Sequence, residues 1–148
     1  MNLLTHEIGS LAKPPWLVKT SAGRPLDGSD FEHAQNWGEK VDVDGHEELV
    51  EKLRRGDADK DELGRWASRY ALRLLEKAGL EVVFDGEQQR TEMYAWAVDH
   101  SNGFEPRGTV RSFDNKYYSK SAVVSEPSLR EPYHNDELAF LQSVRTTT

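Results

Sequence analysis

The chain has 148 residues, 26 acidic and 19 basic, and a formal net charge of −7. That length argues for one domain, and the acidic balance argues against a nucleic-acid surface. At 36% hydrophobic and 30% charged residues the chain is polar for a self-sufficient globule, yet its 9% aromatics, including four tryptophans, require burial and argue against disorder. No apolar run approaches the roughly 18 residues of a membrane span. The opening, Met1-Asn2-Leu3-Leu4-Thr5-His6-Glu7, lacks the basic and long apolar regions of a secretory signal. With no cysteine there is no disulfide framework and no Cys-ligated zinc. The expectation is a cytoplasmic mixed domain with neither membrane nor nucleic acid as partner.

Leu3 to Ile8 reads as a short strand that ends at Gly9-Ser10. Pro14-Pro15 then fits the first turn of a short helix through Val18. Ser21 to Gly28 is a loop by composition, and Ser29 to Arg55 is charged and helix-prone, interrupted by Gly38 and Gly45. Leu63, Trp66, Ala67, Tyr70, Ala71, Leu74, Leu75 and Ala78 share one helical face, with Gly79 at the stop. Leu80 to Phe84 reads as a second strand, closed by Asp85-Gly86. Thr91 to His100 is helix-like, and Asn102-Gly103 is a turn. Gly108–Phe113 and Tyr117–Val124 are strand candidates, the second closed by Glu126-Pro127. A last helix runs from about Asn135 to Val144, and the final Thr146-Thr147-Thr148 resembles the approach to another strand. The order predicts an α/β architecture.

Two loops carry candidate chemistry. At Ile8-Gly9-Ser10 a glycine lets a ligand approach the backbone, and the hydroxyl and N–H groups suit a carboxylate; the bland reading is an ordinary turn. At Asp85-Gly86-Glu87-Gln88-Gln89-Arg90 a carboxylate at a strand end suits an ammonium, with Arg90 holding Glu87 or meeting an anion. There the bland reading is a capped turn and a solvated loop. His6, His33, His46, His100 and His134 show no metal spacing and read as surface or capping groups. Asp42-Val43-Asp44-Gly45 lacks the later ligands of a calcium loop. Lys116, Tyr117, Tyr118 and Lys120 read as strand and rim.

The two loops also occur in a known order. Thr5-His6-Glu7-Ile8-Gly9-Ser10-Leu11-Ala12-Lys13-Pro14 resembles the opening of the methyltransferase barrel of cobalamin-independent methionine synthases. Val83-Phe84-Asp85-Gly86-Glu87-Gln88-Gln89-Arg90-Thr91-Glu92-Met93 resembles that family's G-E-x-x-R segment, and Gly108 to Pro127 is similar in texture. The resemblance implies the N-terminal portion of a (β/α)₈ TIM-type barrel, as a single partial-barrel domain over residues 1–148. It implies methyl transfer to the homocysteine thiol, with Ile8, Gly9, Ser10 and Glu87 binding the amino acid and Asp85 and Arg90 as supporting residues.

Zinc is implied with its ligands outside this chain. The methyl donor is a folate or a methylcorrinoid protein, because Phe113-Asp114-Asn115-Lys116 departs from the family's folate-side pattern. Such a barrel needs about 250 residues, so this chain alone is expected to be inactive. Its open sheet edge is expected to be covered by the remainder of the barrel or a second copy. Two alternatives stay open: a non-catalytic module built from a partial barrel, and a methyltransferase with another thiol acceptor.

Overall fold

Proline geometry and side-chain caps set where the first helices begin. In the computed structural model, which describes residues 4–113 and 115–146, Pro15 opens α1 (Pro15–Ser21), one turn longer than the sequence suggests. Leu3 of the expected first strand, Asp114 and the Thr147-Thr148 ending lie outside the described residues. The Asp27 side chain accepts from Ser29 N–H, and Asp30 reaches back to the Asp27 N–H at 2.9 Å; this capping box starts α2 (Gly28–Lys40). After a turn come α3 (His46–Arg55) and α4 (Lys60–Lys77), the latter capped by Asp59. The described residues add α5 (Met93–Asp99), β1 (Ser101–Arg111), β2 (Tyr117–Leu129) and α6 (Asn135–Val144), an α/β content. The chain divides into two compact units, Met1–Gln89 with Leu141–Thr148, and Arg90–Phe140.

The core of the first unit joins Trp16 and Leu17 of α1, Ala34 of α2, Val41 and Val43 of the following turn, Leu49, Val50 and Leu53 of α3, and Leu63, Trp66, Ala67 and Tyr70 of α4. Trp16 and Tyr70 meet edge to face at 5.9 Å. The Tyr70 hydroxyl donates to the Ala34 carbonyl at 2.8 Å, and burial pushes its ionisation above the usual phenol range. Lys19 pairs with Asp27 at 2.7 Å and with buried Asp30 at 2.6 Å, tying α1 to the start of α2. Thr146 N–H donates to Glu76 Oε1 at 2.9 Å, docking the chain's end on α4.

Several expectations are corrected. Gly38 does not interrupt α2 but lies inside it, because a Cβ there would come within 2.4 Å of the His46 ring. His46 is buried rather than superficial, its Nδ1 bonded to the Val43 carbonyl at 3.0 Å. Helix α4 is buried on more than the expected face: Gly64, Ser68 and Leu72 are also enclosed, while Leu74 is exposed.

The strands at Leu3–Ile8 and Leu80–Phe84 reduce to one parallel bridge, His6 to Val82, with Val82 N–H donating to the Thr5 carbonyl at 3.1 Å. The segments pair in the expected direction, but among the described residues no third strand extends a ladder beside them.

In the second unit β1 and β2 form an antiparallel hairpin. Parallel neighbours need a crossover of a dozen or more residues, and the connection here is residues 112–116. Asn102-Gly103 is not a turn but part of β1, at a register shift that leaves residues 124–127 unpaired on β2. A Cβ on Gly103 would lie 2.9 Å from the Ser125 and Glu126 carbonyls, so the bulge requires glycine. Pro127 sits in that bulge instead of ending the strand.

Two outcomes follow for the first unit. Gly38→Ala forces a methyl into the His46 ring and should cost about 1–3 kcal/mol, whereas Gly28→Ala, in open space, should be neutral or slightly stabilising. Thermal melts of the pair check this, and equal midpoints would contradict it. Lys19, with help from Ser29, holds the Asp27 carboxyl below the usual carboxylate range. Its contribution is complete above the ordinary carboxylate pKa and drains away as pH falls from there through the folded-state value. Asp27→Asn, still a competent cap, should therefore flatten the dependence of Tm on pH between about 5 and 2; an unchanged slope would count against the pair.

Candidate functional site

The two candidate loops, 77 positions apart, meet directly. Ser10 Oγ donates to Glu87 Oε2. Leu11 N–H donates to the Gly86 carbonyl at 3.0 Å, and Gln88 Nε2 donates to the Leu11 carbonyl at 3.2 Å. Lys13 Nζ donates to the carbonyls of Glu87 at 2.7 Å and Gln88 at 2.6 Å. Gly86 has φ +63°, and a Cβ there would lie 2.5 Å from Leu11 Cγ, so both its conformation and its contact demand glycine.

Behind this junction stands Asp85, with 0% exposure. Its Oδ2 accepts from Ser68 Oγ at 2.6 Å, and its Oδ1 accepts from the Glu87 N–H at 3.0 Å. Glu87 itself has φ +64°, a left-handed conformation that costs a non-glycine residue about 1–2 kcal/mol. Such strain persists only where the surroundings over-determine it. Here Asp85 holds the residue's N–H and Lys13 holds its carbonyl.

The sequence-predicted site residues are therefore partly assembled. Ser10 and Glu87 touch, with Asp85 directly beneath through the Glu87 amide. Gly9, at φ +89°, has open space around its α-carbon, and Ile8 is 80% exposed. Arg90 belongs to the second unit, where it forms an ion pair with buried Glu137 at 2.8 Å and lies 5.9 Å from the Trp96 ring centre. Glu137 also accepts from His134 Nδ1 at 3.2 Å.

Sequence reasoning missed Ser68, Lys13 and Glu137. A hydroxyl between Ala67 and Leu72 on α4 was the available signal for Ser68. Chemically, the junction presents a half-buried carboxylate beside an exposed hydroxyl and an unobstructed glycine, a set suited to an ammonium on one side and an anion on the other. Among the described residues no group of three or more His, Asp or Glu converges to hold a metal ion, so the donors present do not fit a zinc site. No described helix is long and apolar enough to cross a membrane.

No protein-family model matches the chain. Individual proteins do. The methionine synthase of Thermoplasma acidophilum is 31% identical over 140 residues, 94% of this chain and 32% of that protein. The methionine synthase of Thermococcus kodakarensis is 31% identical over 144 residues, 97% of this chain and 35% of its own length. That of Pyrococcus horikoshii is 32% identical over 146 residues, 99% of this chain and 35% of its own. The chain spans about a third of the length of these curated relatives. Likeness at this level over nearly every residue, together with the junction of the two loops that carry the resemblance, makes the chain a member of the methionine synthase family.

Proposed function

We propose that this chain supplies the amino-acid half-site of a methyltransferase that methylates the homocysteine thiol. The observation that supports it most is the contact between Ser10 and Glu87, which joins two loops distant in sequence around one carboxylate. In this reading Glu87 receives the ammonium of homocysteine. The Gly9-Ser10 backbone N–H groups receive its carboxylate, while the Ser10 hydroxyl stays on Glu87, and exposed Ile8 lies against the side chain. Asp85 fixes the Glu87 backbone from below, and Arg90 acts within the second unit through Glu137.

The single parallel bridge between His6 and Val82 is compatible with the first two strands of a (β/α)₈ barrel, whose further strands, or a second copy, would cover the open edge. Zinc would activate the thiolate and would take its ligands from elsewhere in the protein, as would the methyl donor, a folate or a methylcorrinoid protein. The work of the junction residues is to bind and orient: two charges of the substrate are fixed, which leaves its thiol as the only reactive group free to point away from the junction.

Titration calorimetry of L-homocysteine into the 148-residue chain tests this reading. Wild-type chain should bind, and Glu87→Gln should weaken binding about 10- to 100-fold, the scale of a lost hydrogen bond to a charged group. Equal affinity in the two proteins would remove Glu87 from the site.

A further inference from the structure

Ser68 is fully buried in the middle of α4, where Ala67, Ala71 and Leu72 are also enclosed. Packing alone would be satisfied there by alanine. The hydroxyl instead lies 2.6 Å from Asp85 Oδ2 and 3.1 Å from the Gly64 carbonyl, one turn back on the same helix. Asp85 directs its second oxygen to the amide of Glu87, the residue held at φ +64°. An unbroken set of bonds thus runs from the helix interior to the backbone of the carboxylate that touches Ser10.

We propose that Ser68 is a positioning residue for ligand recognition: acting through Asp85, it fixes the backbone of Glu87 and so sets the preference for thiols that carry a free amino group over thiols that lack one. This rests on the reading that Glu87 receives the ammonium. Helix α4 is the reference frame because it is built into the core through Leu63, Trp66, Ala67 and Tyr70. Lys13 holds the Glu87 carbonyl from the other loop, so the two ends of that residue are fixed by different elements. Removing the Ser68 hydroxyl leaves Lys13 and Ser10 in place but frees the amide end. The carboxylate then samples directions in which a bound ammonium is not met.

The test compares binding of L-homocysteine with that of 4-mercaptobutanoate, the same molecule without its amino group. The wild-type chain should favour homocysteine by about tenfold or more, and Glu87→Gln should bring the ratio close to one. Ser68→Ala should cut the ratio several-fold without weakening 4-mercaptobutanoate, and Ser68→Thr, which keeps the hydroxyl, should restore it.

A wild-type ratio of one sinks the amino-acid reading itself. A wild-type ratio that collapses in Glu87→Gln but survives intact in Ser68→Ala overturns only the role of Ser68. Amide hydrogen exchange at Glu87 reads the link without any ligand: protection in wild type and Ser68→Thr, with markedly faster exchange in Ser68→Ala, supports it. Equal exchange in all three overturns it. If Ser68→Ala does not fold, Ser68→Cys, similar in size but a feeble donor, replaces it with the same two readouts and the same deciding outcomes.

Discussion

The seating of Gly86 on Leu11 is the contact from which the rest of the site follows. At that point two backbones approach closely enough that no side chain fits between them, and the Leu11 N–H closes on the Gly86 carbonyl. Once this junction is made, Lys13 is within reach of two further carbonyls and Ser10 is within reach of Glu87. A carboxylate 77 residues from a hydroxyl becomes its neighbour because of one glycine, and the left-handed conformation forced on Glu87 is held by bonds at both of its peptide groups.

Helix α4 gives that junction a rigid base. One side of the helix joins Trp16, Leu49 and the rest of the core, while Gly64 and Ser68 pack against the Asp85–Gln89 segment. A Cβ on Gly64 would come 3.3 Å from the Gln89 backbone, tighter than ordinary contact, so that segment lies directly on the helix. This explains why α4 is buried beyond its single apolar stripe, and why a polar pair, Ser68 and Asp85, is tolerated where both residues have 0% exposure. Each supplies the other's hydrogen bond, as buried polar groups require.

Much of this was legible in the sequence, for local reasons. Pro15 marks the start of α1, and the bounds of α6 coincide with the expected Asn135–Val144. The family resemblance implies that Ser10 and Glu87 serve one site, and in the structure the two are in contact. The rest depends on contacts that composition and periodicity do not show. Gly38 reads as a helix breaker until His46 is seen against it. The Leu3–Ile8 and Leu80–Phe84 segments have strand composition, yet a strand is a property of its neighbours, and here a single bridge forms. Residues 112–116 are too few for a parallel crossover, so β1 and β2 pair as a hairpin. The lone hydroxyl of Ser68 on α4 acquires a role only when Asp85 lies opposite it.

A residue-resolved NMR titration of the 148-residue chain with L-homocysteine shows whether the two docked loops act as one ligand site. One binding event shared by both loops should give amide shifts that saturate together at Gly9, Ser10, Gly86 and Glu87. Silence at those four amides under saturating ligand, or shifts confined to the β1–β2 hairpin, would contradict it.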